Sequence, residues 1–159
     1  MISAGIITIS DRASSGIYKD LSGPKIRKIL EGGKLSIKKY EVIADEEKKI
    51  IQRIKHMTDE LNINIVLTTG GTGIGLRDVT AKATRKIIDK ELPGISEFIR
   101  FKSLKYNRNA MLSCLVSGIR KKSIIINLPG NPKAIEQIMP LILPVLIHGI
   151  ELINNNARH

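Results

Sequence analysis

Ile63-Asn-Ile-Val-Leu-Thr-Thr-Gly-Gly-Thr-Gly-Ile-Gly-Leu-Arg-Asp-Val-Thr80 changes character three times. Its first residues, Ile63 to Leu67, are dominated by β-branched and aliphatic side chains, as in a strand buried on both faces. Four glycines then fall between Gly70 and Gly75, and an Arg77-Asp78 pair leads into a helix-like segment. Strand, glycine loop and helix in succession form the repeating unit of a parallel α/β sheet.

The same alternation extends to both sides. Ile2 to Ser10 reads as a buried strand, followed by a polar loop from Asp11 to Gly16. Gly23-Pro24 opens a helix with apolar positions Ile26, Ile29 and Leu30, stopped by Gly32-Gly33. Lys39 to Ala44 is a second strand, and Ile50, Ile51, Ile54 and Met57 mark the next helix face. After the glycine loop, Val79 to Leu92 is expected to be helical, with a break at Pro93-Gly94 and a further helix over 95–104. Leu115–Ile119 and Ser123–Asn127 flank a turn at Arg120-Lys-Lys122, which predicts a hairpin. A last helix starts at Asn131-Pro132, and Pro140 and Pro144 predict a kink or break in it. The expected fold is a three-layer α/β/α sandwich. Its mostly parallel sheet carries a short antiparallel hairpin, and one domain spans 1–159.

Composition narrows the function classes. The chain has 159 residues, 42% hydrophobic and 26% charged, which is ordinary for a globular protein. No uninterrupted apolar run reaches the roughly 20 residues of a membrane span, and the start of the chain lacks a basic, then apolar, leader. Its one cysteine, Cys114, excludes an internal disulfide and suits a reducing compartment. A cytoplasmic protein without a membrane partner is expected. The net charge of +11 is scattered, and aromatics make up only 3%, too few for nucleic-acid stacking platforms. No nucleic-acid partner is expected.

In an open parallel sheet, ligands bind outside the carboxyl ends of the strands. Ser10–Gly16, Thr68–Asp78, Leu128–Pro132 and Asp45 should therefore gather on one edge. The glycine loop lacks the Lys-Ser or Lys-Thr of a Walker loop and the third glycine of a dinucleotide fingerprint. Its density of glycines nevertheless suits backbone N–H groups turned inward on an anion. Leu128-Pro-Gly-Asn-Pro132 offers a second such nest, with Asn131 as helix cap and Pro132 in the first turn. Asp45 and Asp78 each precede a helix. They read equally as helix caps or as two carboxylates holding Mg²⁺ beside substrate phosphates. Cys114 sits in an apolar context and is expected to be packed. His56 and His148 have no partners at metal-ligand spacing, and His159 is terminal.

Three motifs together resemble the molybdenum-cofactor proteins of the MogA/MoaB type. They are Ser10-Asp-Arg-Ala-Ser-Ser-Gly16, Thr68-Thr-Gly-Gly-Thr-Gly73 with Arg77-Asp-Val-Thr80, and Leu128-Pro-Gly-Asn-Pro-Lys133. The first looks more like the MogA branch. The resemblance implies a homotrimeric molybdopterin adenylyltransferase that uses ATP and Mg²⁺ and feeds a downstream molybdenum-insertion protein. It places the catalytic and metal-holding roles on Asp45 and Asp78. It assigns substrate binding to Ser10, Arg12, Ser14, Thr69, Gly70, Gly71, Thr72, Gly73, Pro129, Gly130, Asn131 and Lys133, of which Arg12 and Lys133 read equally as charge-neutralising groups or as solvated surface residues. The same nests would also serve a carrier that binds molybdopterin without adenylating it.

Overall fold

The computed structural model describes residues 1–156. Six strands form one sheet in the order β2-β1-β3-β6-β5-β4. Strands β1 (Ser3–Ile9), β2 (Ser36–Ile43), β3 (Ile65–Thr69) and β6 (Ser123–Leu128) are parallel. Strand β5 (Ser117–Arg120) forms the expected antiparallel hairpin with β6, and β4 (Lys90–Glu91) adds a short antiparallel edge.

Side-chain alternation along the central strands builds two cores, one on each face. Ala4 and Ile6 of β1, Ile65 and Leu67 of β3, and Ile124 and Ile126 of β6 face one layer. That layer holds helices α2 (Ser22–Gly32), α5 (Pro93–Ser103) and α6 (Pro132–Asn156). Ile7, Ile9, Val66 and Ile125 face the other, which holds α3 (Glu47–Lys55), a wide turn at His56–Glu60 and α4 (Thr80–Arg85). The three-layer arrangement is the one expected, because β3 and β6 carry apolar residues on both faces.

Four local expectations are corrected. Asp11–Ser14 is a one-turn helix, α1, rather than a plain loop: the Ser10 hydroxyl accepts from Ala13 N at 3.1 Å. The helix expected over 79–92 ends at Arg85, because the following segment is drawn to the sheet edge. Asp89 N donates to Ile119 O and Leu92 N to Ser117 O, both at 2.7 Å. Pro93 then begins α5 instead of breaking a helix, a first-turn position that suits a residue with no N–H. Helix α6 runs unbroken through Pro140 and Pro144. Both prolines lie on its exposed side, where water can satisfy the carbonyls that lose their partners.

Helix α6 also revises the hydropathy reading. Over 132–155 it contains an 18-residue window of mean hydropathy 1.5, long and apolar enough to cross a membrane. Its apolar stripe, including Ile135, Ile138, Met139 and Leu146, is instead buried against the sheet. It is a core helix.

Candidate functional site

The carboxyl ends of β1, β2, β3 and β6 surround a cleft of ≈ 290 Å³. Ser10, Asp45, Thr69, Gly70, Gly71, Asp78 and Gly130 line it, so all four expected segments meet there. Hydroxyls tie the loops together. Thr69 Oγ1 donates to Pro129 O at 2.8 Å, Thr80 Oγ1 to Gly70 O at 2.9 Å, and Ser22 Oγ to Gly130 O at 2.8 Å.

The glycine loop is shaped around carboxylates. Gly70 and Gly71 adopt φ of +96° and +64°, where a side chain is strained. A Cβ on Gly70 would lie 2.2 Å from Ile9 O. One on Gly71 would lie 2.3 Å from Thr80 Oγ1 and 2.9 Å from Asp45 Oδ1. Gly73 and Gly75 make room for Asp78, whose Oδ2 would sit 2.8 Å from a Cβ at either position. The glycine density thus has a cause within the chain: the loop curls tightly over Asp45 and Asp78. The curl leaves the N–H groups of Gly71, Thr72 and Gly73 without an acceptor among the described residues.

Neither aspartate caps a helix. The residues at the caps of α3 and α4 are Glu46 and Val79, and neither makes a side-chain cap bond. Asp45 Oδ2 accepts from Asp11 N at 2.8 Å, and Asp78 Oδ2 accepts from Gly75 N at 2.9 Å. Each Oδ1 has no donor among the described residues. Burial pushes the Asp45 carboxyl above its ordinary range, and the negative charges of Asp11 and Asp78 push in the same direction, against the Asp11 N–H. A cation held by Asp45 and Asp78 would reverse that penalty. No group of three or more His, Cys, Asp or Glu residues poised for a metal occurs among the described residues. Two carboxylates suit Mg²⁺, which keeps several waters and takes substrate phosphate oxygens as further ligands.

Other expected residues sit around the cleft rather than in its lining. Arg12 and Ser14 are exposed on α1, and Lys133 is exposed in the first turn of α6. Ser14 Oγ bonds Asp11 O at 3.1 Å. Asn131 Oδ1 accepts from Lys133 N at 2.9 Å, the cap read from the sequence. Thr72 and Gly73 face away, toward a depression shared with Ser113. Behind the loop a second depression places Lys82, Arg85, Lys86 and Cys114 beside Asp78. Cys114 is exposed, against the expectation of packing, because its N–H is drawn to Thr72 O at 2.7 Å on the loop surface. His56 pairs with Glu60 at 2.8 Å and His148 is solvent-facing near Glu151 at 3.8 Å. His159 lies outside the described residues.

The sequence reading missed Asp20, which lines the cleft with Thr8, Tyr18 and Ser22. Its Oδ1 accepts from Ser22 N and Gly23 N, both at 3.1 Å, and its Oδ2 from Thr8 Oγ1 at 2.8 Å and from the Tyr40 hydroxyl. Burial, then the bond to Asp20, pushes the Tyr40 phenol up to about 12. Asp20 is fully committed, unlike Asp45 and Asp78. The signal was its place two residues ahead of Ser22-Gly23-Pro24, an acidic residue just before a helix start where orphan N–H groups need acceptors.

A family model described as a probable molybdopterin binding domain matches residues 5–148. The molybdopterin adenylyltransferase of Helicobacter pylori J99 is 45% identical over 157 residues, 98% of this chain and 89% of that protein. Its counterpart in Escherichia coli K12 is 41% identical over 152 residues, 92% of this chain and 78% of that protein. Among solved structures, the molybdopterin biosynthesis enzyme MoaB of Thermus thermophilus superimposes with a TM-score of 0.90 at 37% identity, covering 98% of both chains. The tungsten cofactor synthesizing protein MoaB of Pyrococcus furiosus gives 0.85 at 28% identity, covering 95% of this chain and 96% of that one.

Proposed function

The chain belongs to the molybdopterin-binding domain family, and from that membership we propose that it adenylates molybdopterin with ATP, releasing pyrophosphate. The observation that carries this reading is the pair of open oxygens, Asp45 Oδ1 and Asp78 Oδ1, beneath a loop with free backbone N–H groups. In the reaction a terminal phosphate oxygen of molybdopterin attacks the α-phosphorus of ATP. The new O–P bond forms as the bond from the α-phosphorus to the pyrophosphate oxygen breaks. The attacking phosphate is already ionised, so a general base contributes little, and positioning and charge neutralisation dominate.

Asp45 and Asp78 would hold Mg²⁺, which supplies charge neutralisation at the triphosphate. The N–H groups of Gly71, Thr72 and Gly73 bind anionic oxygens, and the start of α6 at Gly130–Asn131 favours a second phosphate. Asp78 borders both the cleft and the depression behind the loop, so the two substrates can approach it from opposite sides of the glycine loop, one toward Asp45 and one toward Arg85 and Lys86. Ser10 and Thr69 shape the first side. Arg12 and Lys133 add positive charge at the rim.

The assembly we infer is a homotrimer in the cytoplasm. An apolar cavity of ≈ 670 Å³ between α5 and α6, walled by Phe98, Leu141, Val145 and Leu152, supports association through that face. Sedimentation should give three times the mass of the 17.6 kDa chain, and a monomer at micromolar concentration contradicts it. The decisive assay incubates the protein with molybdopterin, ATP and Mg²⁺ and follows adenylyl-molybdopterin by mass. Tight molybdopterin binding without that product would assign the chain a carrier role instead.

A further inference from the structure

Asp11 belongs to the first motif, yet the adenylyl-transfer reading gives it no role. Its geometry does. Asp11 N–H donates to Asp45 Oδ2 at 2.8 Å, and Asp11 Oδ1 accepts from Asp45 N–H at 3.0 Å. These two bonds close a ring between the ends of β1 and β2. Arg77, from the glycine loop, grips the same carboxylate through Nε to Oδ2 at 3.0 Å and Nη2 to Oδ1 at 2.9 Å.

Three strand-end loops are therefore joined at Asp11. Both of its oxygens are engaged within the chain. What it does is fix Asp45: with Oδ2 held, Oδ1 is the oxygen left facing Gly71, 2.9 Å from where a Cβ there would stand. Arg77 immediately precedes Asp78, whose N–H donates to Gly75 O at 3.0 Å in the same turn. The grip on Asp11 thus fixes the loop carrying one open carboxylate relative to the loop carrying the other.

We propose that Asp11 and Arg77 form a clasp of positioning residues that sets the placement of Asp45 against Asp78. The proposal rests on the reading of those two aspartates as the working carboxylates. An ordinary stabilising role fits poorly, because the Arg77 and Asp11 side chains are 65% and 42% exposed. Exposed pairs of this kind contribute little to stability. A clasp of low stability value at such a junction should separate activity from folding.

The test uses Arg77→Gln, Arg77→Lys, Asp11→Asn and the Asp11→Asn/Arg77→Gln double variant. Arg77→Gln and Asp11→Asn should each lower kcat by about 10- to 100-fold, the usual effect of losing an outer partner of a ligating group. KM for ATP should stay within about threefold, since uniform binding is untouched, and the melting temperature should hardly move. Arg77→Lys keeps the charge but loses the two-point grip, so it should recover only part of the rate. The double variant should be no worse than the poorer single one, because both remove the same contact. Independently of turnover, hydrogen exchange at the Asp45 amide should quicken in Arg77→Gln while amides of β1 and β3 keep their protection. Wild-type kcat with unchanged Asp45 exchange, or rate and melting temperature falling together, overturns the clasp. Should the wild-type protein make no adenylyl-molybdopterin, the functional reading fails, and the Asp45 exchange result alone then decides the clasp.

Discussion

Aspartates at the two edges of the sheet are treated in opposite ways. At the amino-terminal edge, Asp59 Oδ1 and Oδ2 accept from Arg120 Nε at 2.9 Å and Nη2 at 2.6 Å, and Lys121 Nζ lies 3.3 Å from Oδ2. Arg120 also donates to Ile87 O at 2.8 Å. Nearby, Ser3 and Asn64 bond each other at 2.9 to 3.0 Å through three contacts. Both carboxylate oxygens of Asp59 are matched. At the carboxyl edge Asp45 and Asp78 each use one oxygen on a backbone N–H and leave the other open. The lesson is about where a protein accepts an unfavourable arrangement. The Arg120 guanidinium holds Asp59 far below the usual carboxylate range, whereas burial and neighbouring charge hold Asp45 above it. Closed networks stabilise the fold, and the open valences lie at the edge proposed to bind substrate.

Experiments can break that contrast, beginning with the largest effect. Asp78→Asn keeps an acceptor for Gly75 N–H but removes the charge. Adenylyl transfer should fall by about 10²- to 10³-fold, as when one preorganised electrostatic group is lost, with little change in melting temperature. Steady-state product formation checks this, and near-normal turnover would reduce Asp78 to a loop-folding residue.

Asp20 sharpens the comparison, because it lines the cleft yet is closed like Asp59. Asp20→Ala removes the acceptor of the first two N–H groups of α2 and strands the hydroxyls of Thr8 and Tyr40, so it should destabilise by about 3 kcal/mol. Chemical denaturation measures it, and a loss of activity without a loss of stability would move Asp20 into the open class.

The pH dependence has a definite sign at each closed site. Asp59 has a lowered folded-state pKa, so its contribution is present above the ordinary carboxyl range. It is lost as pH falls through the folded value. Tyr40 has a raised one, so its contribution is full below pH about 10 and is lost as pH climbs toward about 12. Ultraviolet titration should show one of the three tyrosines ionising late, and Tyr40→Phe should abolish that step. The smallest effect belongs to an exposed pair at neither edge, Arg27 and Glu31 one helical turn apart at 3.0 Å. Arg27→Ala should cost about 0.3–0.5 kcal/mol, close to the resolution of a melting curve.

Much of this architecture was legible in the chain. The β-branched runs at Ile6–Ile9, Ile63–Leu67 and Ser123–Asn127 announce strands because both of their faces must be apolar. Prolines misled the reading: Pro93 starts a helix and Pro140 lies within one, since position relative to solvent and to the first turn decides what a missing N–H costs. Helix α4 is short because Asp89 and Leu92 pair with β5, a long-range contact that local propensity does not contain. Asp45 was visible as a carboxylate at a strand end and Asp78 as one at the exit of the glycine loop. Their freedom from helix-capping duty was not, nor was the committed state of Asp20, because those depend on which donors the folded loops bring near.

The most direct measurement makes the same change at both edges. Asp45→Asn and Asp59→Asn are compared for single-turnover adenylation and for thermal unfolding at pH 7. Asp45 has a raised folded-state pKa, so its ionised form is disfavoured by the fold at neutral pH. A neutral Asn should leave stability unchanged or slightly higher while the rate falls by about 10²-fold or more. Asp59→Asn removes the partner of a largely buried guanidinium, its side chain 15% exposed. It should lower stability by about 2 kcal/mol, or about 4–8 °C, at a near-normal rate. Equal losses of rate and stability in both variants, or an active Asp45→Asn, would contradict the division between an open, working edge and a closed, stabilising one.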